Sequence, residues 1–366
     1  MRVIAVANQK GGCGKTTTSI NLAACLAFLG KKILLVDLDP QGHSTCGLGI
    51  QAGKLRHTLY NLLSPCEKFK VPFPETIQEI NPNFFILPSY GILGAVEEEL
   101  ANLPDRDRRL KTCLAEIDQE QSSFDYAILD CPPNLGILTF NALEAADEVL
   151  IPVEPSFFSL HGLAKISETI RRTSHRRGRA TGIHALLTLF DSRMSFGKEV
   201  YEEVKAHFKE RLFKTIIHSR VALKEAAGAG KSIVDYDPES PAFQDYLNLA
   251  VEYLDREWDR LLPENKLGWE NILHRRYGPK RVMGGILFQA LSEEARSVEV
   301  AGDFNQWVPE SLLRRDTPGL WQKVIPITSG RWRYKFIVDG EWQLDPYHPE
   351  QRQNVYGTYD SYLDLA

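Results

Sequence analysis

Two lysines, three glycines and two threonines fall within one ten-residue stretch, Asn8-Gln9-Lys10-Gly11-Gly12-Cys13-Gly14-Lys15-Thr16-Thr17. Such a stretch can hold phosphate. Glycines let backbone N–H groups converge on an anion, and a helix starting behind them adds its positive dipole end. In this spacing Lys15 reaches the β- and γ-phosphates and the Thr16 hydroxyl binds Mg²⁺. Residues Gly11, Gly12, Cys13, Gly14, Lys15, Thr16 and Thr17 are therefore the candidate nucleotide-binding set. The pattern G-x-x-x-x-G-K-T asks for glycine five residues before Gly14, but Gln9 stands there and Lys10 opens the loop. A second cation beside the γ-phosphate would stabilise transition-state charge. Three carboxylates join the list: Asp37 and Asp39 in Asp37-Leu38-Asp39-Pro40-Gln41-Gly42, and Asp130 at the end of an apolar run.

These side chains need elements to bring them together. Val3 to Ala7 reads as a buried parallel strand, and Ser19 to Leu29 has helical spacing of Ile20, Leu22, Ala23, Leu26 and Ala27. Ile33 to Asp39 and Phe124 to Asp130 are further buried strands, each delivering acids at its carboxyl end. Phe84–Leu87, Glu148–Val153, Gly182–Phe190 and Phe213–Ile217 also read as strands. Helical patterns at 91–102, 106–121, 138–146, 160–172, 197–208 and 242–261 alternate with them. The alternation predicts an α/β domain with a doubly wound parallel sheet, whose functional groups gather at the strands' carboxyl ends. The apolar strand ahead of Asp130 is a Walker-B-like element that delivers this acid to a Mg²⁺ water shell.

The chain has 366 residues, 43% hydrophobic and 25% charged, with a net charge of −5. That is the composition of a soluble globular protein, and the length suggests two domains or one large one. The negative balance argues against global attraction to nucleic acid or anionic membrane. The six cysteines, at 13, 25, 46, 66, 113 and 131, lack C-x-x-C spacing and read as reduced thiols. A core strand at the N-terminus and the lack of a long apolar run predict neither signal peptide nor membrane span, hence a cytoplasmic protein.

The Lys10-Gly-Gly-x-Gly-Lys-Thr loop and the D-x-D-P-Q-G segment resemble the ParA/MinD family of ATPases, over about residues 1 to 260. The resemblance implies ATP and Mg²⁺ as cofactors and a homodimer closed over ATP. In that family the first lysine crosses the dimer interface to the partner's nucleotide, which assigns Lys10. The second acid helps orient the attacking water, which assigns Asp39 beside Lys10 and Lys15 in the catalytic set. Asp37 goes to the Mg²⁺ shell through water, with Thr16 and Asp130. The loop after Asp130, stiffened by Pro132-Pro133, would sense the γ-phosphate. An ATPase-activating partner is a further family expectation.

Between His161 and Lys231 fifteen Lys/Arg face seven acids. Relatives use scattered cations of this region to hold DNA backbone without base readout. Arg193 matches one such position. A second family arginine is replaced here by Ala222, with Arg220 or Lys224 as candidate substitutes. Composition then changes after Leu262. Residues 263–281 read as a linker, and 282–366 switch to strand-type alternation closed by an Asp339-Gly340 hairpin. This predicts a small all-β sandwich of immunoglobulin-like type. The G-D-F-N-x-W segment, the run Tyr334-Lys335-Phe336-Ile337-Val338-Asp339-Gly340-x-Trp342 and Asp345-Pro346 resemble the glycogen-binding module of AMP-activated protein kinase β subunits. That likeness implies α-glucan (glycogen or starch) stacked on Trp307 and Trp342, with Lys335 bonding hydroxyls and Thr358 and Asp360 echoing late family positions. The expectation is an ATPase, domain 1–262, fused to a glucan-binding module that positions a polyglucan cargo. The competing reading is a DNA-partition ATPase, nucleoid-associated, whose β-sandwich is a protein adaptor.

Overall fold

The computed structural model describes residues 1–120, 124–155, 159–191, 195–261, 277–292, 294–314, 319–348 and 350–365. They form two compact units, Met1–Glu252 and Tyr253–Ala366. Arg193 and residues 263–276, most of the expected linker, lie outside the described residues.

The first unit is built on eight strands: β1 (Arg2–Val6), β2 (Ile33–Asp37), β3 (Gln78–Asn81), β4 (Phe84–Leu87), β5 (Tyr126–Asp130), β6 (Glu148–Val153), β7 (Gly182–Phe190) and β8 (Leu212–His218). They join in the order β3-β4-β2-β5-β1-β6-β7-β8. All pairings are parallel except the antiparallel edge pair β3–β4. Near-continuous apolar strands are what a sheet covered on both faces requires. Ile4, Ala5, Val6 and Ile33 through Val36 are fully buried. Strand β3 carries no such signal. Its Gln-Glu-Ile-Asn sequence is that of a half-exposed edge, and it was not expected from periodicity.

Strand β1 lies between β5 and β6, so the loop leaving it opens where the chain order reverses. The helix after that loop runs Lys15–Phe28, four residues earlier than its apolar spacing suggests. Its first turn is polar because it lines the loop. Gly14, at φ 84°, makes the turn, and its carbonyl accepts from the Thr18 N–H at 2.9 Å.

The second unit is all antiparallel: β9 (Lys280–Val282), β10 (Gly285–Leu291), β11 (Val298–Gly302), β12 (Glu310–Ser311), β13 (Leu313–Arg314), β14 (Leu320–Ile325), β15 (Arg331–Val338), β16 (Glu341–Gln343), β17 (Gln351–Gln353) and β18 (Tyr359–Asp364). One sheet is β13-β14-β10-β9, and the other is β12-β11-β15-β18-β17 with β16 on β15. Between them pack Phe288, Val300, Trp321, Tyr334 and Phe336. Asp339 and Gly340, at φ 50° and 88°, form the type of hairpin turn the sequence signals.

Candidate functional site

The loop between β1 and the 15–28 helix is pinned from behind and open in front. The Asn8 amide donates to the Pro152 carbonyl at 2.7 Å, and its oxygen accepts the Lys10 N–H at 3.1 Å. Thr188 of β7 donates to the Cys13 carbonyl at 2.8 Å. Lys15 Nζ arches back to the Lys10 carbonyl at 3.0 Å. On the open side, among the described residues and apart from chain neighbours, no atom stands within 4 Å of where a Cβ would sit on Gly11 or Gly12. Gly12, at φ 76°, holds the left-handed backbone that a converging amide cradle needs. The helix start carries no side-chain cap, which leaves its dipole end for an anion. Burial pushes the Cys13 thiol up, against the pull of Lys15, so this side chain is an uncharged part of the loop wall.

Asp37 and Asp130 stand opposite each other at the ends of β2 and β5, in direct register. Both are fully buried. Asp130 accepts from Ser19 Oγ at 3.0 Å and Ser44 Oγ at 2.7 Å, and also from the Thr16 hydroxyl. Asp37 accepts the Thr45 N–H at 2.9 Å, the Thr45 hydroxyl at 2.7 Å and the Asp39 N–H at 3.2 Å. Desolvation pushes both carboxyls above the usual range, and for Asp37 the neighbouring Asp130 charge adds to the rise. Paired carboxylates lifted this way attract a cation. The donor set of Thr16, Asp37 and Asp130 is all hard oxygen, which suits Mg²⁺. Asp39 bends into the following turn, where it accepts the Gln41 N–H at 2.9 Å and faces His43 Nδ1 at 4.0 Å.

Lys10 is held within its own chain, ion-paired to Glu154 just beyond β6. Lys15, Thr16, Asp37, Asp39 and Asp130 are thus gathered at the carboxyl ends of the central strands β1, β2 and β5. Arg220 and Lys224 lie one helical turn apart at the start of the Val221–Gly228 helix, with Lys224 exposed.

In the second unit Trp307 and Trp342 meet with ring centroids 6.1 Å apart and planes tilted by 38°. Trp342 is 50% exposed. The alternation along β15 places Tyr334 and Phe336 in the core, as expected, while Lys335 leaves the core face. It does not extend freely into solvent: its Nζ lies 3.2 Å from Asp360. The Asn354 amide joins Thr358 Oγ1 at 2.7 Å and Asp360 Oδ1 at 2.9 Å, so Lys335, Asp360, Asn354 and Thr358 form one connected group.

The supporting residues were not found by sequence reasoning. Ser19, Ser44 and Thr45 hold the acids, Thr188 and Glu154 hold the loop, and Asn354 joins the module's polar group. Thr45 stands eight positions from Asp37, a spacing too common to single out, and Ser19 and Ser44 reach Asp130 from 111 and 86 positions away, which no local pattern shows. Asn354 alone carried a signal, since Asn before an exposed Gly357 turn is a turn residue.

Comparison with known proteins gives the family. Residues 1–181 match the AAA domain family, and residues 290–366 match the glycogen recognition site of AMP-activated protein kinase. The sporulation initiation inhibitor protein Soj of Bacillus subtilis is 42% identical over 253 residues, 69% of this chain and 97% of Soj. The chromosome partitioning protein ParA of Caulobacter vibrioides is 38% identical over 262 residues, 71% of this chain and 96% of ParA. Among solved structures, a cobyrinic acid a,c-diamide synthase from Mycobacterium smegmatis with bound ATP analog and magnesium superposes with a TM-score of 0.61 at 30% identity, covering 72% of this chain and 97% of that one. A putative plasmid partition protein from Borrelia burgdorferi bound to AMPPNP gives a TM-score of 0.58 at 26% identity, covering 70% and 99%. Among the described residues no helix is long and apolar enough to cross a membrane. A two-lysine phosphate loop, two register-paired acids behind it and near-complete coverage of Soj leave one assignment: the chain belongs to the ParA/Soj family of P-loop ATPases and carries a C-terminal carbohydrate-binding module domain.

Proposed function

We propose that this chain hydrolyses ATP with Mg²⁺, cycles between a monomer and an ATP-closed homodimer, and holds an α-glucan such as glycogen through its C-terminal module. The domains would be 1–262 for the ATPase, 263–281 for the linker and 282–366 for the module. Lys15, the amides of Gly11 to Thr17 and the helix N-terminus would bind the phosphates. Thr16, Asp37 and Asp130 would hold Mg²⁺, which supplies charge neutralisation at the phosphates. Asp39 would orient the attacking water. Lys10 would leave Glu154 and reach the partner's nucleotide, as the family resemblance implies. Hydrolysis would reset the dimer, with a protein partner as candidate activator. Trp307 and Trp342 would stack sugar rings while Lys335, Thr358 and Asp360 take hydroxyls. The cargo would be a polyglucan or an enzyme bound to one, in the cytoplasm.

The observation that carries the glucan half is the pairing of half-buried Trp307 with exposed Trp342, two adjacent indoles at the surface that offer a stacking face for a sugar ring. Co-sedimentation with glycogen, with and without ATP and Mg²⁺, tests it. Retention of the wild type and its loss in Trp307→Ala and Trp342→Ala are expected; equal retention of all three refutes it. Lys15→Ala and chelation of Mg²⁺ should each abolish phosphate release, and turnover surviving both would refute the ATPase half.

A second reading is favoured by the relatives named for chromosome partitioning and by the cations Arg193, Arg220 and Lys224. In it the dimer holds DNA backbone and the β-sandwich docks a protein. ATP-dependent, salt-sensitive DNA retention without glycogen binding would select it.

A further inference from the structure

Trp307 sits on costly backbone. Gln306 and Trp307 have φ of 56° and 60°, two successive non-glycine residues in the left-handed region. Such a conformation costs of order 1 kcal/mol per residue and persists only where neighbours impose it. Part of the restraint is the Trp307 N–H, which donates to the Gly302 carbonyl at 2.8 Å. The Val308 N–H closes the turn on the Asn305 carbonyl at 3.1 Å, and one exposed side chain adds a further tie. Asp303 Oδ1 accepts the Trp307 indole N–H at 2.9 Å, and Oδ2 accepts the Arg333 N–H at 3.0 Å. One carboxylate thus ties the indole to β15, whose hairpin partner β16 carries Trp342.

We infer that Asp303 is a positioning residue for the aromatic platform: it sets the Trp307 ring against Trp342 at the observed tilt. The inference rests on the glucan reading above for its functional consequence, but not for its geometry. A carboxylate suits the task better than a hydroxyl or an amide. It offers two acceptors to two N–H donors, and it has no donor of its own to set against either. Being exposed, its charge is screened, so its contribution is directional and comes from the two bonds. Among the described residues no other hydrogen bond of the Trp307 indole fixes the rotation of the ring about its side-chain bonds.

The test uses the full-length chain. Two indoles this close couple their transitions, giving an exciton couplet in the far-ultraviolet circular dichroism that Trp342→Ala identifies by removing it. Asp303→Ala should reduce that couplet and weaken glycogen retention about tenfold, the loss of one charge-assisted hydrogen bond, while leaving the unfolding midpoint of the β unit near that of the wild type. On a Trp307→Phe background, which lacks the indole N–H, adding Asp303→Ala should weaken retention little further. Asp303→Asn, which keeps one acceptor and the approximate shape, should fall between wild type and alanine and serves if the alanine variant is unstable. An unchanged couplet in both Asp303 variants overturns the inference, and so does an equal loss of retention on the Trp307→Phe background. If the wild type does not bind glycogen, the glucan reading fails, and the couplet still decides the role of Asp303.

Discussion

Replacing Thr45 by valine removes one hydroxyl and almost nothing else, and the structure allows the consequence to be worked out. Thr45 is 1% exposed and Asp37 is 0% exposed. The hydroxyl donates to Asp37 Oδ2 at 2.7 Å and accepts the Ser89 N–H at 2.9 Å. Valine keeps the shape and the Thr45 N–H bond to the same carboxylate oxygen. It loses a hydrogen bond to an acid, about 1.5–3 kcal/mol, and leaves the Ser89 N–H buried without that acceptor, about 1–3 kcal/mol. The two losses overlap in one relaxation, so about 3 kcal/mol of destabilisation is expected in the Met1–Glu252 unit. Urea unfolding followed by helical circular dichroism reads it, because the described β unit contributes little helix. Thr45→Ser is the control: it retains the hydroxyl and should cost only its missing methyl, about 1 kcal/mol. ATP turnover should also fall in the valine variant, since Asp37 loses one of the donors that set its direction. A stability change within about 0.5 kcal/mol, or a serine variant no better than valine, would refute the reasoning.

Gly42→Ala should destabilise the same unit by about 2 kcal/mol, because φ is 64° and an added Cβ would stand 2.6 Å from the Ser89 carbonyl oxygen; an unchanged urea midpoint would contradict this. Trp342→Ala should leave thermal stability within about 0.5 kcal/mol, as expected of an exposed ring, and a large drop would make Trp342 a packing residue instead. The Asp339 carboxyl is held below the usual carboxylate range by the N–H groups of Ser297 and Arg296. Its folded value lies below its unfolded value, so its contribution is present in full above about pH 4 and is lost as pH falls through the folded value. Asp339→Asn keeps the turn and an acceptor oxygen, so the stability difference from wild type should shrink on acidification below about pH 4, read as the melting of tryptophan fluorescence. A difference that grows on acidification would reverse that sign.

Much of this molecule is legible before folding. The glycine-rich loop, the acids at the ends of apolar strands and the shift from helical to alternating period near residue 280 are local patterns, and each encodes one element. A parallel strand buried on both faces must be apolar throughout, so β1, β2 and β5 announce themselves together with the acids that follow them. Strand β3 does not, because an edge strand can be polar on both faces and still complete its ladder. Two features came only from the tertiary structure. The register of β2 on β5 sets Asp37 against Asp130, a pairing between residues 93 positions apart whose mutual repulsion no local pattern reveals. The partners that hold the functional groups, Thr45 on Asp37, Glu154 on Lys10 and Asp303 on Trp307, are single polar side chains whose value lies in direction, and direction exists only once the backbone is placed. The sequence determined that this chain has a phosphate loop and two outlying tryptophans. The fold decided that the first has two buried acids behind it and that the second form one tilted platform, because proximity between distant residues is a property of packing.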